Sequence, residues 1–133
     1  MKTIFIVNPC AGQGKDISKL LSEISKASEQ SKSDVEYYVT KSVGDATTYV
    51  RDYCENNGVA RFIACGGDGT LNEVVNGAIG YEGTEVGVYP LGTGNDFRRN
   101  FSTECDFFDI HTQIHGGTQK CDVIRYVTEI DDK

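Results

Sequence analysis

Residues 65–73 read CGGDGTLNE: Gly66, Gly67 and Gly69 surround Asp68, and Thr70, Leu71, Asn72 and Glu73 follow. Glycines in such a turn let backbone N–H groups approach a ligand closely, and a helix opening beside them adds the positive end of its dipole. That is the chemistry of a phosphate cradle. Thr70 brings a hydroxyl for a phosphate or for the helix end. Asp68 fits less simply, because a carboxylate repels phosphate unless a cation lies between them. It can instead take a proton from an attacking hydroxyl, as an aspartate does in protein kinases. The bland alternative is a tight strand-to-helix turn in which Asp68 is a second cap.

Two further glycine-bearing stretches accompany it, NPCAGQGK at residues 8–15 and PLGTGND at residues 90–96. Generic nucleotide motifs do not explain these glycines. A Walker A loop with its GK on Gly14-Lys15 puts Pro9 at the first glycine and Asp16 at the Ser/Thr. A GxGxxG fingerprint begun at Gly12 meets Ile17 at its third glycine, and one begun at Gly67 meets Asn72.

The elements that must carry these loops are legible from the pattern. Apolar or β-branched runs at 2–7, 35–40, 62–65 and 85–89 predict strands. Between them, Ile17, Leu20, Leu21 and Ile24 make a helical stripe that Asp16 can cap and the polar run 28–33 ends. Ala46, Tyr49, Val50, Tyr53 and Cys54 make a second stripe, opened at Gly44-Asp45 and stopped at Asn57-Gly58. Leu71, Val74, Val75, Ala78 and Ile79 make a third, opened by a Thr70–Glu73 capping-box pattern and stopped at Gly80. Short helices are expected over 97–101 and 107–114, and a strand over 121–127. Such alternation predicts an α/β domain with a parallel sheet covered on both faces. All three glycine loops then fall at carboxyl ends of strands, where open α/β sheets bind ligands.

Bulk properties narrow the function. The 133 residues suit one domain, and 38% hydrophobic with 25% charged residues is an ordinary globular balance. A net charge of -7 without a basic cluster argues against nucleic acid, whose backbone demands a basic footprint. The apolar runs are strand-sized, so no transmembrane segment is expected, and Met1 leads into a strand rather than a signal peptide. A cytoplasmic location follows. The odd set Cys10, Cys54, Cys65, Cys105 and Cys121, without a CxxC pair, argues for reduced thiols, with Cys54 and Cys65 in the core.

Taken together, Asn8-Pro9 with Gly12, the 66–73 loop GGDGTLNE and the 90–96 loop PLGTGND resemble the diacylglycerol kinase catalytic-domain family, which includes bacterial lipid kinases and the sphingosine and ceramide kinases. The third loop separates this resemblance from the NAD kinases and phosphofructokinases, which carry runs similar to GGDGT. The resemblance implies a Rossmann-like, phosphofructokinase-like three-layer nucleotide-binding domain over residues 1–120. It implies that residues 121–133 begin a β-rich second domain, the remainder of which would carry further acidic residues and much of the lipid site. It implies ATP binding by Asn8, Pro9, Gly12, Thr40, Gly66, Gly67, Asp68, Gly69, Thr70, Leu71, Asn72, Thr93 and Asn95. Catalytic roles would fall to Asp68 and Lys15, and magnesium to Asp68 and Asp96. The expected function is transfer of the ATP γ-phosphate to a lipid hydroxyl such as diacylglycerol, peripherally at a membrane surface, with this chain alone inactive. A homodimer is compatible with these expectations. A non-catalytic nucleotide-binding module and a NAD-kinase-like soluble-substrate kinase are the alternatives.

Bland readings stand beside several of these residues. Thr40 closes a strand, as threonines often do; Lys15 sits beside Asp16 as a solvated lysine can; Asn95-Asp96 is also good N-cap chemistry. His111 and His115 have i,i+4 spacing but no third ligand in view, so they read as solvated histidines. Arg98 and Arg99 read as a solvated helix end.

Overall fold

The computed structural model describes residues 1–10, 17–31, 34–90 and 114. Strands β1 (Thr3–Val7), β2 (Val35–Val39), β3 (Arg61–Gly66) and β4 (Glu85–Pro90) alternate with helices α1 (Ser18–Ser31), α2 (Asp45–Asn57) and α3 (Asp68–Ala78). All strand pairs are parallel, and their order across the sheet is β2-β1-β3-β4. A parallel sheet of this kind must be covered on both faces, so its inner strands are mostly apolar, with Thr3 and Arg61 at their amino-terminal ends. β1, TIFIV, is buried along its whole length.

Alternation along each strand sends successive side chains to opposite layers. Ile4, Ile6, Phe62, Ala64 and Val88 meet Ala46, Val50 and Cys54 of α2 and Leu71 and Val74 of α3. Phe5, Val7, Ile63 and Cys65 meet Leu20, Ile24 and Ala27 of α1, together with Ile114. The result is three layers, with α2 and α3 on one face and α1 on the other. Burying one side chain of this size contributes about 1.5–3 kcal/mol. The Lys2–Glu36 and Lys2–Asp34 pairs, at 2.9 and 3.7 Å, lie at the surface, where such pairs contribute about 0–1 kcal/mol. Burial holds the sheet together; the ion pairs decorate its amino-terminal edge.

Element boundaries differ from the sequence pattern in two informative places. α1 continues to Ser31 although its buried stripe ends at Ala27, so the last turn is a solvated extension of a helix already nucleated. α3 begins at Asp68, two residues before the capping-box threonine. Its N-cap is Gly67, which makes no side-chain cap bond, and Leu71 N–H donates to the Gly67 carbonyl at 3.2 Å. Thr70 is therefore a buried residue of the first turn rather than the cap. The helix expected over 97–101, the strand over 121–127 and all but Ile114 of the helix expected over 107–114 lie outside the described residues; Ile114 is helical and buried. Among the described residues, no helix is long and apolar enough to cross a membrane.

Candidate active site at the carboxyl ends of the strands

β1 has β2 on one side and β3 on the other, so the chain reverses its direction across the sheet between them. The crevice outside the carboxyl ends at such a switch point is where open α/β sheets bind ligands. Register puts the candidate residues there in a row. Val7 pairs with Val39 and with Cys65, and Cys65 pairs with Tyr89. The next residues are Asn8 and Thr40, which leave their strands, and Gly66 and Pro90, which pair with each other as the last residues of β3 and β4.

The two central loops are tied together. Asn8 N–H donates to the Cys65 carbonyl at 3.0 Å, extending the β1–β3 ladder by one rung. The Asn8 side chain donates from Nδ2 to Thr70 Oγ1 at 3.2 Å, and its Oδ1 accepts from Cys10 N–H at 2.9 Å. One asparagine thus turns its own loop back at Cys10 and holds the first turn of α3. Because Thr70 Oγ1 accepts this bond, its own proton remains available for an acceptor in the crevice. Thr40 is anchored to the neighbouring strand: its N–H and its hydroxyl both donate to the Val7 carbonyl, at 2.9 and 3.4 Å.

The glycines of the third strand's loop serve different ends. A Cβ on Gly66 would lie 2.8 Å from Thr70 Cβ and closer still to its hydroxyl, so glycine there is what lets α3 fold back onto β3. A Cβ on Gly67 or Gly69 would meet nothing within 4 Å, and neither residue has a left-handed φ. Packing among the described residues does not require glycine at either position. What the missing side chains leave is open access to the first amides of α3, which by helix geometry have no acceptor within the helix. Asp68 stands exposed between them, and Asn72 is exposed one turn further on. Leu71, by contrast, spends its amide on the helix and its side chain on the core.

Glu73 does not reach back to the start of its own helix. Its Oε1 accepts from Gly44 N–H at 2.9 Å, and its carbonyl accepts from Thr47 Oγ1 at 2.8 Å. Asp45 performs a similar service nearby, its Oδ2 accepting from Lys41 N–H and from the Tyr38 hydroxyl, both at 2.8 Å. That hydrogen bond, with some burial, raises the Tyr38 pKa above its ordinary value. Neither carboxylate was marked by sequence spacing as a loop anchor, since the partners of Glu73 come from another element.

Cys54 and Cys65 are buried and free, and burial pushes both thiols up, that of Cys65 far up. Cys10 is free and exposed in the first loop. Among the described residues, no group of three or more His, Cys, Asp or Glu is placed to hold a metal ion. Gly12, Lys15, Thr93, Asn95, Asp96, His111 and His115 lie outside the described residues.

A family model described as "Diacylglycerol kinase catalytic domain" matches residues 2–126. The chain belongs to the diacylglycerol kinase catalytic-domain family. It is 36% identical over 120 residues to a diacylglycerol kinase of Staphylococcus saprophyticus, covering 89% of this chain and 39% of that protein. A Staphylococcus aureus diacylglycerol kinase is 37% identical over 124 residues, with 89% and 38% covered. Among solved structures, that of a diacylglycerol kinase from Bacillus anthracis aligns at a TM-score of 0.62 and 37% identity, covering 74% of this chain and 35% of that one. The chain thus spans about two fifths of the length of the curated relatives it matches.

Proposed function

We propose that this chain forms the nucleotide-binding wall of an ATP-dependent lipid kinase that transfers the γ-phosphate to a lipid hydroxyl, with diacylglycerol as the acceptor. The observation that carries the reading is the bare first turn of α3 beside the Asn8–Thr70 tie, in a chain of this family. Residues 1–120 are the nucleotide domain, and residues 121–133 lead into a second, β-rich domain that bears the rest of the lipid site. The enzyme works in the cytoplasm, peripherally at the membrane.

The amides of Gly67 and Gly69 and the Thr70 hydroxyl donate to phosphate oxygens, favoured by the positive end of the helix dipole. Asn8, Pro9 and Gly12 form the opposing wall, with Thr40, Thr93 and Asn95 at its flanks. Asn72 borders the crevice and Leu71 supports it from the core. Lys15 neutralises phosphate charge. Asp68 accepts the proton of the attacking lipid hydroxyl, so that positioning and charge stabilisation supply most of the rate.

Magnesium fits this donor set in one way only. It takes one or two protein carboxylates and otherwise phosphate and water oxygens, and the loop offers Asp68, with Asp96 as the second carboxylate. When bound, the ion would neutralise phosphate charge.

Two measurements test the reading. Calorimetric titration of the chain with ATP and magnesium should show binding, and its absence would remove the nucleotide site. In the protein extended to the length of its relatives, Asp68→Asn should lower transfer of labelled γ-phosphate to diacylglycerol by about 10²–10⁴-fold. ATP binding should be largely kept. Unchanged turnover would show that Asp68 is not the base.

A further inference from the structure

We infer that Glu73 is a positioning residue of the nucleotide site, setting the distance between the Thr40 loop and the first turn of α3. The inference rests on the nucleotide-site reading above. The segment from Thr40 to Gly44 has no regular structure, and Val43 at its tip is 96% exposed. Something other than packing must hold it. Among the described residues, hydrogen bonds do: Thr40 to Val7, Lys41 N–H to Asp45, Asp45 N–H to the Ser42 carbonyl at 3.2 Å, Thr48 N–H and Oγ1 to the Gly44 carbonyl at 3.2 and 3.3 Å, and Gly44 N–H to Glu73. Those from Lys41, Asp45 and Thr48 are internal to the loop and the start of α2, so they shape the segment without placing it. Thr40 fixes its beginning against β1. Glu73 fixes its end against α3, from 29 residues away in sequence.

The geometry of α3 makes that anchor a spacer. Thr70, Glu73 and Gly77 follow one another at three and four residues, so they share a helix face. Thr70 is buried in the first turn and is held by Asn8. Gly77 is where α2 comes closest: a Cβ there would lie 2.6 Å from the Thr47 carbonyl and 2.8 Å from Val50 Cβ. Between the two, Glu73 accepts from Thr47 Oγ1 through its carbonyl and from Gly44 N–H through its carboxylate. The close helix contact brings α2 in, and the Glu73 side chain then sets where the loop in front of α2 stops. Gly44 has φ +87 and a free space where its Cβ would be, so the glycine serves the backbone turn that aims this N–H at the carboxylate. Glu73 touches no ligand in this scheme; it acts through the Gly44 amide on Thr40.

Reach and charge are the two explanations to separate, and conservative variants do so. Glu73→Gln keeps the length and an acceptor oxygen but removes the charge. Glu73→Asp keeps the charge and loses one methylene of reach. Affinity of the chain for ATP with magnesium is measured by calorimetric titration, and Gly44 amide exchange by NMR. Glu73→Gln should bind ATP as the unmodified chain does. Glu73→Asp and Glu73→Ala should bind about tenfold more weakly, the scale of one hydrogen bond to a charged group, and their Gly44 amide should exchange faster. Thr47→Val, which removes the other strut, should weaken ATP by a smaller factor and serves if Glu73→Ala does not fold. Normal binding by Glu73→Asp with weak binding by Glu73→Gln would make charge the cause and overturn the inference. Unchanged affinity in all four variants would also overturn it. Absence of ATP binding by the unmodified chain is a different failure: it removes the nucleotide reading, and this role with it.

Discussion

Gly66 and Gly77 on one side, and Gly67 and Gly69 on the other, belong to a single strand-loop-helix unit, yet they answer to different demands. A Cβ on the first two runs into Thr70 or into the backbone of α2, whereas a Cβ on the other two meets open space. The first pair lets secondary structure approach closely; the second leaves amides bare where nothing among the described residues needs them bare. A glycine that the fold does not require points to a ligand more strongly than one that it does. Glycine count along CGGDGT cannot make this distinction, because both kinds stand side by side within it.

The sharpest test of the division is Gly77→Ala. A methyl group 2.6 Å from the Thr47 carbonyl must push α2 from α3, since the obstacle is backbone. Overpacking of this sort costs about 1–3 kcal/mol, against about 1 kcal/mol regained in helix propensity. Chemical denaturation should show the net loss. ATP affinity should fall too, because the Glu73 anchor rides on that contact.

Gly66→Ala should cost somewhat less, about 1–2 kcal/mol, because its obstacle is a side chain. Thr70→Ala in the same chain should recover most of that loss, a coupling that independent sites do not show. Gly69→Ala is the mirror case. Stability should hold or rise by about 0.5–1 kcal/mol, since alanine suits a first helical turn better than glycine, while ATP binding weakens. A Gly69→Ala chain that is less stable and binds normally would erase the distinction.

The smallest effect concerns the Thr40 loop, which the Tyr38–Asp45 bond helps to hold. That bond raises the tyrosine pKa above its ordinary 10.0, so the folded chain keeps this proton more tightly than the unfolded one. The stability involved is complete below about pH 10 and is lost as pH climbs through the raised value. Melting midpoints should therefore drop above pH 10, and drop less steeply in Tyr38→Phe. Tyr49 and Tyr81 shift in the same direction, so part of the slope should persist.

Much of the architecture was readable because period and punctuation agree with the fold. The α2 stripe at Ala46, Val50 and Cys54 is buried as its spacing predicts, and Gly58 ends that helix with a left-handed φ of 87. Parallel pairing followed from strand–helix alternation. The strand order did not, because periodicity says which face is buried and not which neighbour a crossover selects. The Thr70–Glu73 pattern shows a second limit. Residues three apart on a helix share a face whether that face looks back at the helix end or sideways at another helix. Here α2 takes it, and the Gly44 amide that decides the matter lies in a different element. Leu71 is a nucleotide residue by family resemblance and a core residue by its place on the α3 stripe, and its side chain is buried as that stripe predicts.

The sheet order also governs how the chain is made. β1 is made before either of its sheet neighbours, it is buried along its whole length, and it carries no charge. Its first neighbour begins at Val35 and its second at Arg61. During synthesis TIFIV therefore waits with an unpaired edge while the intervening chain is added, a segment of the length and composition that self-associates when exposed. Long-range parallel pairing is slow to form, so yield during expression should respond to temperature and to chaperones that shield nascent strands.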